Sequence, residues 1–249
     1  MARRLRAPDP LPGLTAPTPL DRPRLGSDPS LDELEEDHPA AVAFFARPVL
    51  EVARDLLGTC LVSTLDGHRC AGVIVETEAY GGPSDPASHA ATVSGVTPRN
   101  RAMFGPPGRA YVYRSYGMHW CLNVVTGREG EGQAVLLRGL LPIEGEDVML
   151  RRRGRRPLAA GPGRLAQALG VTDALYGHDL RRPPLFLLAG WSVPDRRVGV
   201  SGRIGIKSAA KWPHRFYVRG CSGVSRRAAP EASTDTESPS DPPNSMDDA

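Results

Sequence analysis

The chain has 249 residues, 40% of them hydrophobic, and a formal net charge of +3 at pH 7. No apolar run approaches the ~20 residues a membrane helix needs, and MARRLRAPDPLP has no apolar core behind its basic start, which excludes a secretory signal. Cys60, Cys70, Cys121 and Cys221 are scattered, with no CxxC or Cys/His cluster at zinc spacing; a reducing cytoplasm and no structural metal is the simple expectation.

Both ends are poor in apolar periodicity. Residues 1–43 are rich in Pro, Asp and Glu, with the acidic run LDELEED, and residues 226–249 are Pro, Ser, Thr and acid. Such segments bury too little apolar surface to offset chain entropy, so disordered tails are expected at 1–43 and 226–249 around one domain at 44–225. Charge divides along similar lines. The first 45 residues hold 5 basic and 8 acidic side chains and the last 24 hold 2 and 6, leaving 24 and 14 between them, a net +10. A domain this basic suits a polyanion, or is an arginine-rich soluble surface.

FFARPVLEVARDLLG (44–58) places Val49, Val52, Ala53, Leu56 and Leu57 at helical spacing, with Gly58 as the stop. CLVSTL then reads as a strand, Asp66-Gly67 as a hairpin turn and CAGVIVETEAY as the partner strand. Gly81, Gly82 and Pro83 break it, and Ser84 caps a short helical turn running to His89. TPRNRAMF is expected to be a loop with one helical turn, and GPPG a tight turn. The strands RAYVYRSYG, HWCLNVVT and QAVLLRGLLPI follow as an antiparallel meander. EGEDVMLRRRG begins acidic and ends basic, as a dipole-matched helix should, and GPG introduces a short helix over RLAQALGV. PLFLLAG, RRVGVSGRIGI and HRFYVRG return to strands. Strands with a few helices and no repeats give the class α+β.

The densest chemistry lies between Val73 and Asn123. Alternate strand residues share a face, so Glu78 points with Tyr80 and with Glu76, and Tyr111 with Tyr113. Carboxylates seldom enter a sheet without a partner or a purpose. Glu78 is either a core ion pair or a water-activating base, with Arg138, from the apolar strand AVLLRGL, as its cation. Glu76 carries no assigned role. Three of the six tyrosines fall within 111–116; they are core aromatics or a platform for a flat ring. Tyr116, before Gly117 where the strand should turn, is a candidate wedge for DNA. His89 is a surface histidine or a site residue, and Asn123 makes a structural hydrogen bond or reads a ligand. Arg99 and Arg101, and Arg164 behind its Gly-Pro-Gly helix entry, have the character of phosphate grips. No GxGxxG or GxxxxGK occurs.

Together ETEAYGGPSDPASHA, TPRNRAMF, YVYRSYGMHWCLNVV, AVLLRGLLPIEG, GPGRLAQALGV, VGVSGRIGI and RFYVRG resemble the 3-methyladenine (alkyladenine, methylpurine) DNA glycosylase family from about Arg47 to Ser225. The resemblance implies one compact domain around a curved, mainly antiparallel sheet. It implies that Glu78 activates water held by Arg138, that Tyr80, His89 and Tyr113 sandwich an extruded base, and that Asn123 lines its pocket. Tyr116 would fill the gap left in the duplex, while Arg99, Arg101, Met118, His119 and Arg164 would meet the backbone. The implied protein is a cytoplasmic, nucleoid-associated monomer of prokaryotic type. It takes double-stranded DNA with alkylated, and by extension deaminated, purines, without cofactor or metal. Lys207 and Lys211, the only lysines, are far from these motifs in sequence, so no Schiff-base strand cleavage is expected. Two rival readings share the features: a non-catalytic DNA-binding module, and a hydrolase of a small nucleoside or sugar.

Overall fold

The computed structural model describes residues 39–88 and 95–225. His89, residues 1–38 of the expected N-terminal tail and the expected tail at 226–249 lie outside the described residues. The stretch expected to form one helix over 44–58 is two: α1 (Pro39–Phe45) and α2 (Val49–Asp55). Pro48 takes the N-cap position of α2 with φ −51° and ψ 138°. A proline has no N–H to continue a preceding helix and forces the residue before it toward extended backbone, so the apolar periodicity runs through a break. Helix α1 starts before the Phe44 boundary read from composition.

Strand β1 (Cys60–Ser63) turns at Asp66 and Gly67, both with positive φ, into β2 (Cys70–Tyr80), as the Asp-Gly pair predicts. Ser84 ends a short 3₁₀ turn (Gly82–Ser84) instead of capping a helix; its side chain reaches back to the Gly81 carbonyl at 3.5 Å. The meander follows as β3 (Ala110–Ser115), β4 (His119–Thr126) and β5 (Gln133–Glu144), then helices α3 (Glu146–Arg153) and α4 (Pro162–Leu169), then β6 (Leu185–Leu188), β7 (Val198–Ser201) and β8 (Arg215–Val218). The fold is α+β, with every strand pairing antiparallel.

The sheet order is β3-β4-β5-β2-β1-β6, and β8 also pairs with β2 and carries β7. Strand β2 is the hub. One edge meets β5 along its length; the other meets β1 through residues 70–73 and β8 through residues 76–78. The β2–β5 register slips twice around Glu76, so that Val75 of β2 and Arg138 of β5 each lack a Cα partner. Bulges of this kind re-aim a side chain. Here the unpaired residue Arg138 is delivered between Glu76 and Glu78.

The face of β2 that carries Thr77 packs on α2, where the Thr77 hydroxyl donates to the Ala53 carbonyl at 2.7 Å. The main core lies on that side, with Phe45, Leu56, Ile74, Leu122, Leu137, Leu140 and Leu165 among its fully buried residues. Truncating any of these leucines to alanine costs about 2–5 kcal/mol. The opposite parity carries Glu76, Glu78 and Tyr80, and that face becomes the site.

Candidate active site: a buried carboxylate cluster beneath the tyrosines

Glu78 has no solvent exposure. Its Oε1 accepts the backbone N–H of Ile204 at 2.7 Å, and its Oε2 accepts the Tyr80 hydroxyl at 3.0 Å and Arg138 Nη1 at 3.3 Å. Burial pushes its pKa above the ordinary 4.5, against the opposing pull of Arg138, the Ile204 N–H and Tyr80, with Glu76 adding to the rise. The result is an ionisable group more basic than a solvated glutamate yet surrounded by donors for its charged form. Burial, and then the Glu78 charge, drive the Tyr80 phenol far above its ordinary value, so Tyr80 serves as a permanent neutral donor.

Strands β3 and β4 add the aromatic wall. Tyr113 stacks on Tyr111 with centroids 5.4 Å apart and planes 29° from parallel, and its cross-strand partner is Cys121. Asn123 is buried, and its amide donates to the carbonyl of its cross-strand partner Tyr111 at 2.9 Å. One role open from sequence, a structural hydrogen bond, is therefore present. Tyr113 also lines an open cleft of about 450 Å³ with Pro98, Arg99, Arg101, Trp120 and Tyr176, a size typical of ligand sites. Glu78 does not line this cleft; Tyr113 is shared between the cleft and the buried cluster.

The hairpin between β3 and β4 places Tyr116 and Gly117 in the two central positions, with φ 50° and 68°, closed by the Met118 N–H donating to the Ser115 carbonyl at 3.1 Å. Positive φ at both positions is what a type I′ hairpin demands, and a bulky tyrosine is an uncommon occupant. Tyr116 is 86% exposed and Met118 70%, the two largest exposures among the described large hydrophobics. His119 follows and packs against the entry of α4: a Cβ on Gly163 would stand 2.9 Å from the His119 Cβ. Arg164, next in the chain to Gly163, spends Nη1 on the Ala160 carbonyl at 2.9 Å. Arg99 reaches the Arg114 carbonyl at 3.1 Å, and Arg101 is exposed beside it.

Several participants carried no clear signal in the sequence. Arg203 donates to the Ala79 carbonyl at 2.9 Å, grips both oxygens of Asp85, and lies 4.8 Å above the Tyr80 ring. Asp85 in turn accepts the N–H groups of Gly81 and Ala87, each at 3.0 Å, which fixes the chain just beyond β2. Glu76, given no role from spacing, is fully buried among Arg138, Arg215 and Ser225. The one cue was shared with Arg138: an arginine within or beside an apolar strand, as in GRIGI and RFYV. Among the described residues no group of His, Cys, Asp or Glu is arranged to hold a metal, and no helix is long and apolar enough to cross a membrane.

A buried, arginine-paired carboxylate on the hub strand of a basic α+β domain is the candidate site, and the sequence places the protein. Residues 43–222 match the model of the methylpurine-DNA glycosylases, and the chain belongs to that family. It is 52% identical over 187 residues to a protein of Rhodopseudomonas palustris (strain BisB18), covering 74% of this chain and 89% of the relative. A protein of Methanoculleus marisnigri is 49% identical over 191 residues (74% and 97%), and one of Myxococcus xanthus 48% over 191 (76% and 94%). All three are named "Putative 3-methyladenine DNA glycosylase". The chain is thus a DNA glycosylase, a repair enzyme whose substrate is DNA.

Proposed function

We propose that this enzyme removes alkylated purines, 3-methyladenine foremost, by rotating the nucleotide out of the duplex and hydrolysing its N-glycosidic bond with water activated by Glu78. The observation that carries this is the buried Glu78 cluster: a carboxylate with raised proton affinity, held by Arg138, Tyr80 and the Ile204 N–H. Water adds its oxygen to the anomeric carbon while the C–N bond breaks. Glu78 takes the water proton, and its charge stabilises the oxocarbenium-like state. A 3- or 7-alkylated purine is cationic and departs as a neutral base. A deaminated purine such as hypoxanthine would leave as an anion unless protonated, which makes it the slower class.

A base within a duplex is out of reach, and unstacking it costs a few kcal/mol, least for a damaged pair. Stacking against Tyr80, Tyr113 and His89, worth about 1–3 kcal/mol per base, offsets that cost, with Asn123 at the pocket wall. Tyr116, 86% exposed on its strained turn, enters the gap. Arg99, Arg101, Arg164, Met118 and His119 hold the duplex on either side. The reaction ends at an abasic site with the strand intact, because a Schiff base needs an amine beside the reacting sugar and Lys207 and Lys211, both exposed, are far in sequence from Glu78.

The test is excision from duplexes carrying 3-methyladenine, 7-methylguanine, hypoxanthine or ethenoadenine, with Glu78→Gln beside the parent. Release of the methylated bases by the parent and none by the variant supports the reading; undiminished release by the variant sinks the assignment of the base. A covalent adduct trapped by borohydride would overturn the monofunctional assignment.

A further inference from the structure

Arginine usually meets a carboxylate through two parallel N–H bonds. Arg138 does not. Its Nη1 reaches Glu78 Oε2 at 3.3 Å, its Nε reaches Glu76 Oε1 at 3.2 Å and its Nη2 reaches the Ser225 hydroxyl at 3.4 Å. The fork is split between two fully buried carboxylates. Glu76 keeps its share because it is itself strongly anchored. Its Oε1 also accepts Arg215 Nε at 2.8 Å and the Ser225 hydroxyl at 2.9 Å, and its Oε2 accepts the Ser225 N–H at 2.6 Å. Ser225 lies past the 43–222 span that matches the family. Its approach depends on Gly139, where a Cβ would stand 2.5 Å from the Gly223 carbonyl oxygen and 3.3 Å from Glu76 Oε2.

We propose that Glu76, fastened by Arg215 and by the Ser225 N–H and hydroxyl, is a positioning residue that draws the Arg138 guanidinium off Glu78, so that Glu78 meets it through one amino group only. This rests on the reading of Glu78 as the base and deepens it. A glutamate fully paired with arginine is a poor proton acceptor; one held by a single long contact keeps its orientation and its basicity. Two carboxylates and two arginines face one another in this arrangement. Each of the four is also too costly to leave unpaired in a buried site. The groups facing Glu78 are Arg138 from β5, Tyr80 and Glu76 from β2, Tyr113 from β3 and Cys121 from β4, with Arg215 of β8 behind Glu76.

The experiment is single-turnover excision of 7-methylguanine from a duplex by the full chain, followed against pH, with thermal unfolding recorded in parallel. In Glu76→Gln the neighbouring negative charge is gone and Arg138 closes on Glu78. The acid limb of the rate moves to lower pH by roughly half a unit or more, and the plateau rate falls about tenfold, while the substrate concentration at half-maximal rate stays within about twofold. Ser225→Ala acts in the same sense and more weakly: Glu76 loses one anchor and Arg138 Nη2 loses its acceptor, so the guanidinium turns toward Glu78 and the acid limb moves down. Graded downward shifts of the acid limb are not produced by loosened packing alone. If Glu76→Gln does not fold, the downward shift in Ser225→Ala decides. An acid limb unmoved in every variant that folds, whatever happens to the melting temperature, overturns the proposal. Glu78→Gln separates the two levels: if it still excises, the base reading fails; if it is dead and the other limbs stay put, only the positioning role fails.

Discussion

Ile204 donates its backbone N–H to Glu78 Oε1 over 2.7 Å, although 126 positions separate them in the chain. A hydrogen bond from a backbone N–H cannot be removed by changing that side chain, and it fixes one oxygen of Glu78 while the other faces Tyr80 and Arg138. The carboxylate is therefore oriented before any substrate arrives, which is where electrostatic catalysis draws its advantage.

Glu78→Gln keeps the volume and most of these donors but cannot take a proton. Excision of 7-methylguanine from a duplex should fall by roughly 10²- to 10⁴-fold, while affinity for the lesion-bearing duplex in a gel-shift or anisotropy titration is retained.

The raised proton affinity of Glu78 sets the sign of the pH response. In the proposed mechanism the working form is the carboxylate, so the single-turnover rate should climb with pH through an inflection above 4.5. The same shift means that the folded chain binds more protons than the unfolded one just above pH 4.5, so Glu78 contributes a loss of stability as pH rises through that window. A rate flat across it would contradict the assignment.

Tyr80→Phe deletes the hydroxyl that donates to Glu78 at 3.0 Å and keeps the ring beneath Arg203. Hydrogen bonds to charged groups are worth about 1.5–3 kcal/mol. The excision rate should drop by about tenfold or more, and the acid limb should move up, because a donor to the charged form has gone.

Asp85→Ala should be the most destabilising of these changes, and at a distance from the chemistry. It leaves Arg203 buried without its carboxylate, a loss of about 3–5 kcal/mol readable by urea unfolding. Burial alone would raise the Asp85 pKa, yet Arg203 and the Gly81 and Ala87 N–H groups hold it below the ordinary 3.8. Its stabilisation is present above pH 3.8 and is lost as pH falls through the folded value; the alanine variant should have a flatter acid-unfolding curve.

Tyr116→Asn should separate stability from function. Asparagine tolerates positive φ better than tyrosine, and relief of the turn is worth up to roughly 1 kcal/mol, so the melting temperature should hold or rise. Excision from duplex should fall, and release of the same lesion from a single strand should change far less.

Much of this protein was written in local patterns. The alternation of VIVETEAY put Glu76, Glu78 and Tyr80 on one face, Asp66-Gly67 turned the first hairpin, and the meander from Arg109 to Ile143 followed from strand runs between glycine-rich turns. Those features depend on backbone geometry within a few residues, which composition and spacing encode directly. The break at Pro48 was equally local, yet the apolar periodicity through it read as one helix.

What only the tertiary structure decided is how the charges are shared. The double slip in register that frees Arg138, the arrival of Ile204, Arg203, Arg215 and Ser225 beside β2, and the capture of Glu76 by three donors all join segments more than fifty positions apart. A buried charge takes whichever partner the packed chain brings within reach, and that choice is settled by the assembled sheet as a whole. No single strand's sequence holds it.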